Sequence, residues 1–415
     1  MSRIIAWLTL FVVGSDLFVI SPLLPDVRQS LMVSVSAAGW AVTVFALAYL
    51  IGGFSLGSLA DRVGRWRVLT VALAVFAAAN LLTGLSATLV VLLIARAIAG
   101  LAASGITPSV YALISASAPP DRRGSWLSVA TSGLLIAVAT SAPAGALIGA
   151  ALGWQSVFFV LAGVTTLMLV IITSRARPMA AHMPQAGPDV PPVPDSPAAP
   201  AGLLARLRAV SVTTLWALAV YGPYTWLGTI LQGTLHLSAG FVAAALACYG
   251  IGAVISDLAG GRLTDRFGGR LVSLTGLALL AVALATLGLA LNAPVGVLLV
   301  LLAVFGLVAY PYFPAQQARL VGRFTTAAAS VLAWNNSALF TGLLVASALG
   351  GPLLNAHGAR ALIYGACGVA VLAAIASTMS ISPRYEPSRT TRSDGHASVR
   401  TAHRAHAHLL LRVPR

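Results

Sequence analysis

Charge is scarce in this chain: 8% of its 415 residues are Asp, Glu, Lys or Arg, against roughly 25% in a soluble domain. A soluble fold needs polar faces, and a chain that is 58% hydrophobic with a mean hydropathy of +0.92 leaves too few of them. Cysteine is nearly absent as well. The two present, Cys248 and Cys367, both sit inside apolar runs, which argues against a disulfide framework or a cysteine-held zinc. Lysine is missing altogether, so all 25 basic residues are arginines. Only ten acids oppose them, leaving a net charge of +15. No set of clustered bases, nucleophiles or metal ligands falls inside the apolar runs, so a membrane enzyme lacks its machinery here. No cofactor and no metal are expected.

What the chain does have is length of apolar run. A helix needs about 20 apolar residues to cross the hydrocarbon core, and twelve such runs can be read between charges, glycines and prolines. Six fill the first half: Ile4 to Leu24, Ala38 to Leu59, Val68 to Leu85, Leu89 to Ser115, Trp126 to Leu152 and Val157 to Ser174. Six more fill the second: Val210 to Leu231, Gly240 to Leu263, Val272 to Leu291, Ala293 to Ala315, Ala327 to Leu354 and Ala361 to Ser380. The first run is longer than the apolar part of a secretory leader and lacks a small-residue cleavage site, so it reads as a retained span.

Alternating the spans puts the arginines overwhelmingly on one side. Arg3, Arg62, Arg65, Arg67, Arg122, Arg123, Arg175, Arg177, Arg206, Arg208, Arg266, Arg270, Arg319, Arg323 and the C-terminal tail share it, whereas the other side receives Arg28 and Arg360. By the positive-inside rule both termini are expected in the cytoplasm, in a cell inner membrane. The basic balance then reflects topology and anionic lipid, with no nucleic-acid partner. The expected organisation is an N-terminal six-helix bundle over 1–174, a Pro/Ala/Gly-rich cytoplasmic linker over 175–209, a C-terminal six-helix bundle over 210–381 and a basic disordered tail over 382–415. That tail holds His396, His403, His406 and His408, for which metal binding is the competing reading.

The halves are copies. Gly57-Ser-Leu-Ala-Asp61-Arg62-Val-Gly64 and Gly261-Arg-Leu-Thr-Asp265-Arg266-Phe-Gly268 share the pattern G-x-L-x-D-R-x-G, 204 residues apart. On this motif the chain resembles the major facilitator superfamily of transporters from end to end. Arg96-Ala-Ile-Ala-Gly100 in span 4 and Ser141-Ala-Pro143-Ala-Gly145 in span 5, with Gly149, Gly153 and Trp154 after it, resemble motifs of its twelve-span drug:proton antiporter branch. Phe18-Val-Ile-Ser-Pro22-Leu-Leu-Pro25 in span 1 is similar to the sugar- and arabinose-efflux-like members. Two departures stand out: Ser141 replaces a usual glycine, and the usual acid before Phe-Val-Ile is Leu17, with Asp16 one place earlier. The resemblance implies an all-α membrane fold of twelve helices in two pseudo-symmetric bundles. It also implies alternating access and export of a small organic compound, a drug or a sugar, against protons. Uptake of a small metabolite by proton symport keeps the same fold, and a receptor that transports nothing is the rival of another class. The partners expected are a small-molecule substrate, protons and the lipid bilayer, with the protein acting as a monomer.

An acid inside a span is costly and usually functional. Asp16 in span 1 and Arg96 in span 4 fall at matched depth, about 10 to 12 Å below the arginine-poor surface at 1.5 Å per residue. The expectation is that Arg96 holds Asp16 ionised and that protonation of Asp16 releases it, coupling a proton gradient to export. Asp257 in span 8 is the second such acid, expected either in a gate or loop pair with Arg262, Arg266 or an arginine of the neighbouring loop, or at a second proton or substrate site. Gly57, Asp61, Arg62, Gly64, Arg65 and Arg67 form the expected gate network on the basic side, with Asp265, Arg266 and Arg270 as its weaker copy. Gly133, Pro143, Gly145 and Gly149 are the expected hinge of span 5. Tyr221, Tyr224, Trp226, Tyr310, Gln316, Asn335 and Asn336 are the expected substrate contacts, because aromatic faces give stacking area and amides orient a ligand.

Overall fold

The computed structural model describes residues 1–119, 122–179, 203–324 and 328–379; the side chains of 54, 55, 57–62, 123–125, 175–179 and 328–329 lie outside that description. The N-terminal bundle contains α1 (Arg3–Ser30), α2 (Val35–Val63), α3 (Arg65–Gly84), α4 (Leu89–Ser117), α5 (Arg123–Leu152) and α6 (Trp154–Met179). The C-terminal bundle contains α7 (Leu203–Gly228), α8 (Ala239–Phe267), α9 (Gly269–Leu289), α10 (Val295–Ala309), α11 (Tyr312–Arg323) and α12 (Ala328–Met379). Among the described residues, eleven stretches are long and apolar enough to cross a membrane. One of them is the long α12, which is broken at Gly358 (φ 78°) and holds spans 11 and 12 together. Span 10 is the reverse case, split between α10 and α11 around Pro311.

Helix ends differ from the sequence expectation where hydropathy fades before the hydrogen-bond ladder does. Span 1 runs on through Pro22 and Pro25 to Ser30. A proline inside a helix leaves the carbonyl four residues earlier without its N–H partner. For Pro22 that carbonyl is Phe18 O, and the Tyr224 hydroxyl of α7 donates to it at 3.3 Å. The expected linker is trimmed at both ends, because α6 continues to Met179 and α7 begins at Leu203. The rest of the linker and the tail with its histidines lie outside the described residues.

The duplication is written into the backbone. The positive-φ residues among those described fall into three pairs: Met32 with His236, Gly64 with Gly268, and Gly153 with Gly358, spaced 204, 204 and 205 residues apart. Two places after the first pair, Ser34 and Ser238 cap α2 and α8, accepting from the N–H of Ala37 and of Phe241. Gly64 and Gly268 close the two copies of G-x-L-x-D-R-x-G, which explains the motif's last glycine: that backbone region excludes side chains.

In lipid the hydrophobic effect does not press helix on helix, so packing rests on close approach of small residues. Gly100 of α4 lies on the Phe45 carbonyl of α2, and Gly306 of α10 lies on the Tyr249 carbonyl of α8. Gly133 of α5 lies on the Trp7 carbonyl of α1, and Gly342 of α12 on the Thr214 carbonyl of α7. The same pairs of spans touch in both halves.

Several contacts join the two bundles, and they lie from the membrane middle toward the arginine-poor side. Ser21 Oγ donates to the Tyr224 carbonyl at 2.6 Å, reciprocating the Tyr224 bond to Phe18. Thr43 donates to Ser347 at 2.9 Å, and Asn355 Nδ2 to Ser36 at 3.0 Å. Nearer the middle, the Tyr49 and Phe340 rings stack at 3.7 Å.

Candidate functional site

Asp16 and Arg96 meet. Arg96 Nη1 donates to Asp16 Oδ1 at 2.8 Å, with the side chains 1% and 0% exposed. The guanidinium lies over the Phe45 ring at 4.5 Å and over the Phe158 ring at 5.6 Å from its centroid. Four helices, α1, α2, α4 and α6, therefore enclose one ion pair inside the N-terminal bundle. The enclosure is incomplete in bonding: Asp16 Oδ2 and Arg96 Nε have no hydrogen-bond partner. A carboxylate with a free oxygen can accept a proton without first breaking its remaining bond. The one-place shift seen in the sequence now has a meaning, since neighbouring residues point about 100° apart on a helix. Asp16 faces the bundle interior, while Leu17 lines the cavity between the halves.

That cavity, small at about 10 Å³, is lined by Leu17, Phe18, Ser21 and Val42 on one side and by Tyr221, Tyr224, Thr225 and Leu343 on the other. Behind it the C-terminal bundle holds a connected group of rings. Trp216 meets Tyr221, Tyr310, Tyr312 and Phe313 at centroid distances of 5.3 to 6.2 Å. Tyr249 meets Tyr224 and Phe305 at 5.0 Å each, and its hydroxyl lies 3.2 Å from that of Tyr310. Trp216 also mends the break in span 10, its indole N–H donating to the Ala309 carbonyl at 2.7 Å.

The other expected substrate contacts are placed differently. Trp226 is fully buried, its indole wedged against Gly39 of α2 and Gly350 and Gly351 of α12. Gln316 Nε2 donates to the Ala209 carbonyl at 2.8 Å, and Asn335 Oδ1 accepts from Thr213 at 2.6 Å. Both tie helices together within the C-terminal bundle. Asn336 is exposed and lies beside Tyr49, across the division between the halves.

In span 5, α5 is continuous through Pro143, and Gly133, Gly145 and Gly149 press against Trp7, Val19 and Leu23 of α1. On the basic side, Gly57 and the side chains of Asp61 and Arg62 lie outside the described residues. Arg65, Arg67, Asp265, Arg266 and Arg270 are exposed. Among the described residues Asp265 makes no ion pair, and neither does Asp257, so the pairing of Asp257 with Arg262 or Arg266 is not formed. Helix geometry gives the reason: steps of five and nine residues turn about 140° and 180° away from the Asp257 face.

The Major Facilitator Superfamily model matches residues 6–247 and again 212–414. The chain belongs to the Major Facilitator Superfamily. Membership makes it a multi-pass membrane transporter of small molecules and not an enzyme. Similar members include an uncharacterized MFS-type transporter YceJ of Bacillus subtilis, 30% identical over 275 residues, 65% of this chain and 68% of that one. A chloramphenicol resistance protein of Streptomyces lividans is 29% identical over 288 residues, 69% of this chain and 72% of that one. Among solved structures, a bacterial homolog of the human lysosomal transporter Spinster, inward-facing and unoccupied, aligns with a TM-score of 0.69 at 18% identity. That alignment covers 91% of this chain and 96% of the other, a likeness of fold. Within this Major Facilitator fold, sequence reasoning passed over Phe45, Phe158, Trp216 and Tyr249. The signal for one of them was available: Tyr249 stands 204 residues after Phe45, and each offers its carbonyl to the glycine of the next even-numbered span.

Proposed function

We propose that this Major Facilitator protein exports a small organic compound by proton antiport. The observation that carries the reading is the sealed Arg96–Asp16 pair, with one carboxylate oxygen unbonded. A buried arginine does not release its proton, so the carboxylate is the group able to load and unload one. Protonating Asp16 removes half of the ion pair, and the Arg96 charge must then find another partner or water. That demand is the source of force for a change of shape. The likeness to a chloramphenicol resistance protein supports export of a drug-like compound.

The arginine excess assigns the basic side to the cytoplasm of the cell inner membrane, with both termini there. On that assignment the contacts between the halves close the outer side, and the conformation is inward-facing. Arg67, Asp265, Arg266 and Arg270 of the two repeated loops are exposed on that open side. They close on one another in the outward-facing state.

The test is Asp16→Asn in proteoliposomes with an imposed pH gradient and chloramphenicol as the first compound. Gradient-driven accumulation is expected to disappear, while exchange of labelled for unlabelled compound without a gradient persists. Undiminished accumulation in the variant ends the reading. The direction of coupling follows from the same assay, because an antiporter accumulates compound in vesicles whose lumen is acidic and a symporter in vesicles whose exterior is acidic.

A further inference from the structure

Among the described residues, two carboxylates lie deep in the spans, and one of them has a protein countercharge. Asp16 is held by Arg96. Asp257 is half-buried in α8, eighteen residues from its start at Ala239, and among the described residues it makes no hydrogen bond or ion pair. An ionised group left so at membrane depth faces a cavity or meets a partner that arrives from outside the chain.

The face on which it lies is fixed by packing. Gly250 of α8 presses on Val138 and Ala139 of α5, where the two halves touch. Asp257 is seven residues on, two turns and about 10 Å toward the basic side on nearly the same face. The antiparallel step on α5 leads from Ala139 to Ser132 and crosses no basic residue. Asp257 thus lies on the wall of the division between α5 and α8, on the side away from the contacts that close it. Tyr221 of α7 lines the cavity between the halves. A side chain on a helix leans toward its N-terminus, and for α7 that direction is the basic side, toward the level of Asp257.

Resting on the reading of this protein as an exporter of small organic compounds, we propose that Asp257 is the anchor for a cationic substrate, an organic monocation with an aromatic or apolar body. The ammonium or phosphonium centre sits at the Asp257 carboxylate, and the body lies against Tyr221 and the rings behind it. Protonated amines and quaternary cations share this chemistry. Arg96 does not repel them, because it is neutralised by Asp16 within the other bundle.

Binding of tetraphenylphosphonium to the purified full chain in lipid nanodiscs, followed by titration calorimetry, separates the outcomes. Asp257→Asn is expected to weaken binding roughly tenfold or more, the consequence of removing one member of a desolvated charge pair. Asp257→Glu keeps the charge and is expected to hold affinity within about threefold of the parent. Equal affinity in Asp257→Asn, equal losses in both variants, or no binding by the parent chain each overturn the assignment. The transport reading fails separately: Asp16→Asn is expected to keep tetraphenylphosphonium binding while losing gradient-driven flux. Flux lost in Asp16→Asn with cation affinity unchanged in Asp257→Asn leaves the exporter standing and removes this inference alone.

Discussion

Truncating Trp226 should open the closed side. Its indole is 0% exposed and packs on three glycines, Gly39 in one half and Gly350 and Gly351 in its own. Removing a buried Trp side chain costs about 3–5 kcal/mol. Two of the three glycine faces stay with Trp226 when the bundles part, so about one third of that, roughly 1–1.5 kcal/mol, belongs to the closed state alone. At 1.4 kcal/mol per decade, Trp226→Ala shifts the ratio of open to closed by about five- to twelvefold. Gly39→Ala pushes the same way, because its methyl would occupy the place of the ring. The reporter is Ser347→Cys, 2% exposed in the contact with Thr43, with Cys248 and Cys367 replaced by serine. Its rate of labelling by a membrane-impermeant maleimide should rise by the same factor in Trp226→Ala. An unchanged or slower rate would refute the assignment of Trp226 as a wedge between the halves.

Breaking the ion pair from one side should be worse than removing it. Arg96→Gln leaves Asp16 buried and uncompensated at about 3–5 kcal/mol, and Asp16→Asn combined with it should recover most of the lost melting temperature. Gly268→Ala forces a side chain into a backbone region open essentially to glycine, for about 1–3 kcal/mol, and Gly64→Ala should match it within error. Tyr224→Phe deletes the donor to Phe18 O, costing about 1 kcal/mol of the closed state and a smaller rise in Ser347→Cys labelling than Trp226→Ala gives. Trp216→Phe keeps the ring but orphans the Ala309 carbonyl, for about 1–3 kcal/mol by thermal unfolding.

The number and order of the spans were legible because lipid imposes one rule on every crossing helix, and the two G-x-L-x-D-R-x-G loops counted the halves. Depth was legible too: residue counting along spans 1 and 4 brings Asp16 level with Arg96, and the two are bonded. Rotation was not. Trp226, Gln316 and Asn335 are polar or aromatic at membrane depth, as a substrate contact would be, yet they face neighbouring helices. A periodicity that identifies a lipid face fails in these spans because nearly every face is apolar. Asp257 shows the opposite lesson. Its distance from Arg262 and Arg266 in sequence suggested pairing, and the 3.6-residue turn alone was enough to deny it. Helix ends were misjudged at Leu24 and at both edges of the linker, where the hydrogen-bond ladder outlasts the apolar run.

The clasp at Tyr224 and the ion pair at Arg96 are anchored on one helix, at Phe18 and Asp16. Two residues are about 200° of turn, so the two attachments lie on nearly opposite sides of α1. Such a helix works as a camshaft: no rotation about its axis can move one lobe and leave the other still. On the proposed antiport reading, an event at the carboxylate would reach the closed side through the helix itself, without a relay of intervening side chains.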